Sequence, residues 1–220
     1  MKEKQDNQSD KTYFDQAAAS WEDNPVRIEL AQAIADAITR RVPLSKEMQA
    51  LEFGCGTGLV SMRIAESVGR IVAVDTSMGM LDVLERKIAE NRIGNIQTRL
   101  MNLLDGAFPA ERFDLVFSSM AMHHIKNVPH LLGIFNRLLN TGGYLAIADL
   151  YTEDGGFHGD IPDVFHYGFE RSLFAEWMKK AGFSGILITT AHVMKKSNTH
   201  TGLPAEFPVF LAVGRKQDAA

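Results

Sequence analysis

The sequence predicts an α/β protein with a mainly parallel sheet that helices cover on both faces. From about residue 48 onward, short apolar segments alternate with amphipathic helical segments, and this alternation is typical of β-α-β units. A glycine-rich turn connects the first apolar segment to the helical segment after it. The predicted strands are Ala50–Phe53, Ile71–Val74, Ile96–Met101, Phe113–Phe117 and Tyr144–Ala148.

Capping residues predict where the helices begin. Asn24-Pro25 is typical of a helix start, because an N-cap acceptor precedes a proline in the first turn, and Pro43 ends that helix. Ser77 and Asn127 precede two further amphipathic segments and are expected to cap them.

The last part of the chain departs from the alternation. Two strand-like segments, Gly185–Val193 and Val209–Gly214, have no helix-length segment between them. A parallel crossover needs about a dozen residues, usually helical, so we expect these two strands to be antiparallel. The intervening stretch Lys195–Pro208, which contains proline and glycine, is predicted to be a loop.

Length and composition predict one structural domain. The 220 residues divide into a tail and helical cap (1–47) and a sheet domain (48–220). A hydrophobic content of 45% is enough for a core and excludes a disordered chain. With 23 basic and 27 acidic residues the net charge is −4, which gives no general attraction for nucleic acid.

Cysteine content and hydropathy suggest a cytoplasmic protein. A single cysteine, Cys55, cannot form an internal disulfide, so a reducing compartment is expected. The polar first residues predict no signal peptide, and no apolar run approaches the roughly 20 residues of a membrane span. The oligomeric state is not predicted.

The glycine-rich turn is the most informative segment. Gly54, Gly56 and Gly58 let the backbone turn sharply and approach a ligand closely, at the start of a helix with unpaired N–H groups. Asp75 ends the next strand, about 20 residues later, where an acidic side chain accepts both hydroxyls of an adenosine ribose. The pattern predicts an adenosine-containing ligand; the alternative is a tight turn that Asp75 only caps.

The glycine spacing narrows the choice of ligand. The dinucleotide fingerprint has glycines at relative positions 1, 3 and 6, whereas here they stand at 1, 3 and 5, and Leu59 occupies position 6. An NAD-dependent oxidoreductase is therefore disfavoured. A P-loop is excluded because no phosphate-binding lysine follows the glycines.

These segments resemble the class I S-adenosylmethionine-dependent methyltransferases. The similarity rests on the Glu-x-Gly-x-Gly-x-Gly segment beginning at Glu52, the acid at Asp75, and the segments Phe113–Ile125 and Leu138–Gly143. It extends over roughly residues 13–215 and is strongest to the small-molecule branch that includes the ubiquinone and menaquinone C-methyltransferases.

The resemblance implies both a fold and a reaction. The fold is a Rossmann-like seven-stranded sheet of order 3-2-1-4-5-7-6, with the last strand antiparallel and an N-terminal helical cap. The reaction is methyl transfer from S-adenosyl-L-methionine to a small-molecule acceptor, with S-adenosyl-L-homocysteine as product. The alternatives are a cofactor-binding protein without catalysis, acting as a sensor or partner subunit, and a protein-directed methyltransferase.

The resemblance also implies a cofactor site. Glu52 and the glycines would face the methionine end, Asp75 would hold the ribose, and Met80 would pack on the adenine. Asn102 replaces the usual aspartate, and its amide oxygen can still accept from the adenine amino group. The implied set is Glu52, Gly54, Gly56, Gly58, Asp75, Thr76, Met80, Asn102, Leu103 and Ser118. Ordinary helix packing for Met80 and a turn role for Asn102 are the alternatives.

Displacement from a sulfonium needs alignment and exclusion of water, and a base only if the acceptor loses a proton. His123, after the fourth strand, and His158, after the fifth, are the candidate catalytic bases, preferred over His124 and His166. Both histidines are thus expected at the carboxyl ends of the strands, which is the edge where open α/β sheets bind ligands. Structural roles for these histidines remain open, and no metal site is predicted, because no Cys/His cluster has ligand spacing.

Two segments are expected to cover the acceptor. Residues 12–24 carry Tyr13, Phe14 and Trp21, and residues 151–169 carry His158 and several glycines. Aromatic side chains there would stack on a planar acceptor or shield the methyl group. Passive packing on the core is the alternative, and for Phe14 it is the preferred one.

Overall fold

The elements of the computed structural model follow the predicted order along the chain. The structure describes residues 12–106, 108–159 and 161–217. The strands are β1 (Gln49–Phe53), β2 (Arg70–Asp75), β3 (Ile96–Leu100), β4 (Phe113–Ser119), β5 (Leu139–Leu150), β6 (Phe183–Ser197) and β7 (Pro204–Lys216). The helices are α1 (Pro25–Arg41), α2 (Ser61–Ile64), α3 (Met78–Glu90), α4 (Val128–Leu138) and α5 (Arg171–Lys180). Residues 12–17 are also helical, and 3₁₀ turns lie at Ala18–Asp23, Leu103–Asp105 and Met122–His124.

The sheet has the strand order β3-β2-β1-β4-β5-β7-β6, as predicted. Strands β1 to β5 pair in parallel, whereas β7 is antiparallel to both β5 and β6. The physical reason is the short connection at residues 198–203, which is a turn and cannot hold a crossover helix.

The prediction of a loop over Lys195–Pro208 is wrong. Pairing of β6 with β7 continues from Val193 opposite Pro208 to Ser197 opposite Pro204. Asn198 then closes the hairpin, because its N–H donates to the Leu203 carbonyl at 2.8 Å. Pro204 and Pro208 are tolerated because this part of the β6–β7 hairpin extends beyond the end of β5. Here β7 pairs with β6, as an edge strand does, and proline is compatible with such a position.

Alternate residues of the strands face two separate apolar cores. Leu51 and Val72 face one core with α4 and α5, and Ala50 and Ile71 face the other with α1, α2 and α3. Helices therefore cover both faces, and α1 packs on β6 and β7 as part of one helical layer. In the described part of the chain, none of the helices is long and apolar enough to cross a membrane.

The predicted N-caps are confirmed by side-chain hydrogen bonds. The Oδ1 of Asn24 accepts from the Val26 N–H at 3.0 Å, and the Oγ of Ser77 accepts from the Met80 N–H at 3.2 Å. Asn127 caps α4 in the same way. The Ser77 cap fixes the start of α3 directly after β2, at the edge of the sheet where the candidate site lies.

Candidate active site

A cavity of about 250 Å³ lies at the carboxyl ends of β1, β2 and β4. Loops diverge at this edge of a parallel sheet and leave room for a ligand. Seven residues of the implied cofactor set line it, namely Glu52, Gly54, Gly56, Asp75, Thr76, Met80 and Asn102. The rest of the wall includes Phe14, Trp21, Arg27 and His124.

The glycine turn is held close to the end of β2. The N–H groups of Gly54 and Cys55 donate to the Val74 carbonyl at 2.9 and 3.1 Å. Gly54 has a φ of 66°, and a Cβ there would lie 2.7 Å from the Cβ of Ala121. At Gly56, with a φ of 53°, a Cβ would have only the Met80 Sδ within reach, at 4.0 Å. The sequence therefore needs glycine at Gly54 for packing, while the Gly56 backbone faces open cavity.

Asp75 connects the end of β2 to the glycine turn. Its Oδ2 accepts from the Gly56 N–H at 2.7 Å, and its Oδ1 accepts from the Ser77 N–H at 2.9 Å. Burial raises the pKa of this carboxyl, although the N–H groups of Ser77 and Gly56 oppose the effect. The side chain thus both shapes the turn and presents an acceptor to the cavity.

Glu52 places a buried carboxyl beside the glycine turn. The side chain is on β1, with 1% of the residue exposed, and the Oγ of Ser61 donates to its Oε2. Burial raises the Glu52 pKa to about 8, and the charge of Asp75 adds to this shift. A carboxyl in this environment favours a cation close by, since a positive charge stabilises its ionised form.

Three residues of the implied cofactor set lie outside the cavity wall. Leu103 is buried in the core, and Ser118 is buried with its Oγ donating to the Phe53 carbonyl at 2.9 Å. A Cβ on Gly58 would collide with Leu84, so this glycine serves helix packing. The structure gives these residues roles in positioning the site, and their contact with a cofactor remains a prediction.

Asn102 lines the cavity and also caps the turn after β3. Its Oδ1 accepts from the Leu104 N–H at 3.0 Å, and its Nδ2 donates to Asp105 Oδ1 at 3.1 Å. The turn role that the sequence left open is therefore present. A second acceptor lone pair on the same oxygen remains compatible with a ligand amino group.

Three imidazoles cluster beside the cavity. The ring centroid of His123 lies 4.4 Å from that of His124 and 4.3 Å from that of His158. His123 and His158 are buried behind the wall, with 3% and 6% of each residue exposed, whereas His124 reaches the cavity. The cluster brings the two sequence-predicted histidines together but places their neighbour in front of them.

Asp149, at the end of β5, anchors this cluster. Its Oδ1 lies 2.8 Å from the Nδ1 of His123, and its Oδ2 accepts from the Met122 N–H at 2.9 Å. The carboxylate is fully buried. It fixes the orientation of the His123 ring, because a carboxylate so surrounded is an acceptor for the ring N–H.

The hydrogen bond of His124 determines its tautomer. Its Nδ1 lies 3.0 Å from the Asp163 carbonyl oxygen, which can only accept, so Nδ1 carries the hydrogen and Nε2 keeps a lone pair in the neutral ring. Burial lowers the His124 pKa to about 4, with His123 adding to the effect. His124 is therefore a neutral hydrogen-bond acceptor at physiological pH.

The ring of His158 is buried without hydrogen bonds to its nitrogens. Neither of its ring nitrogens has a hydrogen-bond partner in the described part of the protein. Burial lowers its pKa to about 3, and the neighbouring histidines act in the same direction. None of the described residues of 151–169 lines the cavity, so this loop supports His123 from behind, where the His123 carbonyl accepts from the Phe165 N–H at 2.9 Å.

The N-terminal segment forms the outer wall. Phe14 and Trp21 line the cavity, with ring centroids 5.7 Å apart, and the Phe14 ring also lies 5.4 Å from that of His124. Asp15 fastens the segment to α3, because its Oδ1 accepts from the Ser77 Oγ at 2.5 Å. Phe14 thus faces the cavity, where the sequence favoured simple core packing.

Cys55 lies buried in the glycine turn. The structure as described contains no cluster of three or more His, Cys, Asp or Glu side chains that could hold a metal ion. Burial raises the pKa of the Cys55 thiol well above its usual range, so the thiol stays protonated and is a poor nucleophile.

Sequence reasoning missed Arg27 and Asp149 and ranked His124 below its neighbours. Asp149 had a usable signal, because it ends a parallel strand at the same edge as Asp75. No feature of the sequence pointed to Arg27, since a basic residue in the first turn of an amphipathic helix is ordinarily solvent-exposed.

Comparison with known proteins agrees with this geometry. Residues 51–147 match the family described as "Methyltransferase domain". An uncharacterised methyltransferase of Schizosaccharomyces pombe is 34% identical over 153 residues, covering 62% of this chain and 54% of that protein. A demethylmenaquinone methyltransferase of Symbiobacterium thermophilum is 35% identical over 97 residues, covering 42% and 39%. The chain spans about half the length of the curated relatives that it matches.

The fold is shared with solved structures. One, described as a DhpI–SAH complex, superimposes with a TM-score of 0.74 at 16% identity, over 97% of this chain and 98% of that one. The glycine turn and strand order define a Rossmann-like methyltransferase fold, and the match over residues 51–147 supports a relationship to the class I S-adenosylmethionine-dependent methyltransferase family. The cofactor of that family is S-adenosyl-L-methionine.

Proposed function

We propose that this protein transfers the methyl group of S-adenosyl-L-methionine to a small-molecule acceptor. The observation that carries the proposal is the cavity itself. Residues implied in cofactor binding form one part of it, and aromatic and apolar side chains such as Phe14, Trp21 and Ile125 form another. The apolar part of the cavity lies behind the N-terminal wall formed by Phe14 and Trp21, and such a position suits a small acceptor better than a folded macromolecule.

The residues present fit this cofactor. The Gly56 backbone faces open space, so a ligand can approach it closely. Asp75 would accept from the ribose hydroxyls, and the buried Glu52 would offset the positive charge of the methionine end. When bound, S-adenosyl-L-methionine supplies a methyl group that its sulfonium has already activated.

The chain therefore needs to align the acceptor and exclude water. The attacking atom forms a bond to the methyl carbon as the carbon–sulfur bond breaks, and the sulfur leaves as a neutral thioether. An O–H or N–H acceptor becomes strongly acidic during this step and must release its proton. His124 lines the cavity, and the lone pair on its Nε2 would receive this proton, even at a pKa near 4.

His123 and His158 then support the reaction from behind His124. His123 is oriented by Asp149, and its ring lies close to both other rings. We infer that this pair keeps His124 in position and takes up the proton only if the cluster rearranges during turnover.

Calorimetric titration and a labelling experiment test the proposal. Titration with S-adenosyl-L-methionine, S-adenosyl-L-homocysteine and NAD should show binding of the first two only. Incubation with methyl-labelled cofactor and a cell extract, followed by ultrafiltration and chromatographic separation from unreacted cofactor, should place the label in a new small molecule.

Matched controls separate the alternatives. The variant Gly56→Val should neither bind nor transfer, since a branched side chain at a φ of 53° blocks the cavity. Label confined to protein would instead indicate a protein-directed enzyme. Tight cofactor binding with all of the label still on unreacted cofactor would indicate a binding protein without catalysis.

A further inference from the structure

Lys87, on α3, connects the glycine turn to the N-terminal segment. Its Nζ donates to the Thr57 carbonyl at 3.0 Å and pairs with Glu22 Oε1 at 2.6 Å. An ammonium group carries three hydrogens, so it can serve both acceptors at once. Thr57 lines the cavity from the glycine turn, and Glu22 directly follows Trp21, which lines the cavity from the N-terminal segment. One side chain therefore contacts both sides of the candidate cofactor site.

This contact is more enclosed than an ordinary surface ion pair. The side chains of Lys87 and Glu22 are 21% and 30% exposed, whereas those of Lys180 and Glu176, on α5, are 72% and 55% exposed. Exposed pairs contribute little, because water and salt screen them. The charge of Lys87 also acts inside the site. Burial raises the pKa of the Glu52 carboxyl, and Lys87 opposes this rise.

The rest of the N-terminal segment docks on the same helix. The 3₁₀ turn Ala18–Asp23 packs against α3, and Asp15 Oδ1 accepts from the Gly79 N–H at 2.9 Å. A Cβ on Gly79 would lie 2.8 Å from the Asp15 carbonyl oxygen, so this close approach requires glycine. Helix α3 also lies against the glycine turn, where Leu84 leaves no room for a Cβ on Gly58. The segment, the helix and the turn thus form one continuous set of contacts.

We propose that Lys87 is a positioning residue that couples cofactor binding at the glycine turn to closure of the N-terminal segment over the cavity. A cofactor that approaches the Gly56 backbone, which faces open cavity, holds the adjoining Thr57 carbonyl in place. That carbonyl in turn holds Lys87 for its contact with Glu22. Coupling between two sites is reciprocal, so a closed segment strengthens cofactor binding by the same factor. This inference rests on the cofactor assignment within the proposed function and is independent of the acceptor.

A double-mutant cycle on Glu22 and Lys87 tests the coupling. Calorimetry measures the dissociation constant of S-adenosyl-L-homocysteine for wild type, Glu22→Gln, Lys87→Met and the double variant. Among the described residues that line the cavity, Glu22 is not included, so its effect on affinity has to pass through another residue. Each single variant should bind about threefold to tenfold more weakly. The double variant should bind no more weakly than Lys87→Met alone.

Hydrogen exchange supplies a readout that a purely structural role would not change. In wild type, S-adenosyl-L-homocysteine should slow exchange over residues 12–24 several-fold. This slowing should be lost in Lys87→Met and partly restored in Lys87→Arg. The exposed pair on α5 supplies matched controls, since Lys180→Met and Glu176→Gln should leave both the affinity and the slowing unchanged. Melting curves verify that each variant is folded.

Three results overturn the inference. Additive losses in the double variant would show that Glu22 and Lys87 act independently, and wild-type affinity in Glu22→Gln would show that no coupling passes through this pair. Binding of S-adenosyl-L-homocysteine without slower exchange over residues 12–24 would overturn the inference and leave the cofactor assignment intact. A wild-type protein that does not bind S-adenosyl-L-homocysteine would overturn the cofactor assignment, and the inference with it.

Discussion

The Nδ1 of His123 lies 2.8 Å from the Oδ1 of Asp149, and both side chains are buried. The two residues come from the ends of adjacent parallel strands, since His123 follows β4 and Asp149 lies in β5. Their contact fixes the His123 ring. The His123 ring in turn supports the part of the cavity wall that contains His124.

Asp149→Asn should therefore destabilise the fold and lower activity. The amide replaces one of the two acceptor oxygens that serve His123 and the Met122 N–H with a donor, at a cost of about 1–3 kcal/mol in the free energy of unfolding. Urea unfolding measures the loss, with the exposed Asp36→Asn as a control near zero. Equal unfolding free energies for Asp149→Asn and wild type would contradict the anchoring role.

Asp75→Ala should weaken binding of S-adenosyl-L-methionine by about 1.5–3 kcal/mol, because it removes a charge-assisted acceptor for two hydroxyls. Calorimetry measures this change, and Asp82→Ala, an exposed acid on α3, is the matched control. Asp75 also holds the Gly56 N–H, so circular dichroism must show an intact fold. Wild-type affinity in a folded Asp75→Ala protein would rule out the ribose assignment.

Cofactor affinity should increase with pH up to about 8. In the free protein the Glu52 pKa is raised to about 8, so the carboxyl is mostly protonated at neutral pH. A bound cation lowers this pKa, and binding below pH 8 therefore releases a proton. The gain in cofactor affinity that comes from ionised Glu52 is present above the pKa that this carboxyl has in the free protein, about 8, and it is lost as the pH falls below that value.

Calorimetry in buffers of different ionisation enthalpy counts the released protons between pH 6 and about 8. The variant Glu52→Gln keeps the shape of the side chain but cannot titrate, so any remaining pH dependence belongs to the ligand. The linkage is refuted if wild type and Glu52→Gln release the same number of protons.

Asp15→Ala should loosen the N-terminal wall. The carboxylate accepts from the Ser77 Oγ at 2.5 Å and from the Gly79 N–H at 2.9 Å, and losing an N-terminal cap of this kind costs about 1 kcal/mol. Hydrogen exchange over residues 12–24 should accelerate several-fold, and turnover should decrease as water enters. Asp23→Ala, an exposed acid in the same segment, is the control; exchange that matches this control would argue against the Asp15 contact.

The sequence by itself determined the fold and predicted where the candidate cofactor site lies. Strand, glycine turn, helix and terminal acid are local in the chain, and their order dictates that Gly56 and Asp75 meet at the edge of a parallel sheet. The antiparallel pairing of β6 with β7 also followed from local chain length. The sequence did not predict how far this pairing extends. Pairing past Val193 depends on long-range contacts that a proline-containing stretch does not reveal.

Only the tertiary structure decided which side chains face the cavity. His123 and His124 are neighbours in sequence, yet a 3₁₀ turn directs one into the core and the other into the cavity. Arg27 faces the same cavity because α1 packs across the sheet and presents its first turn beside Trp21. Such directions arise from packing between distant segments, and periodicity along one segment does not encode them.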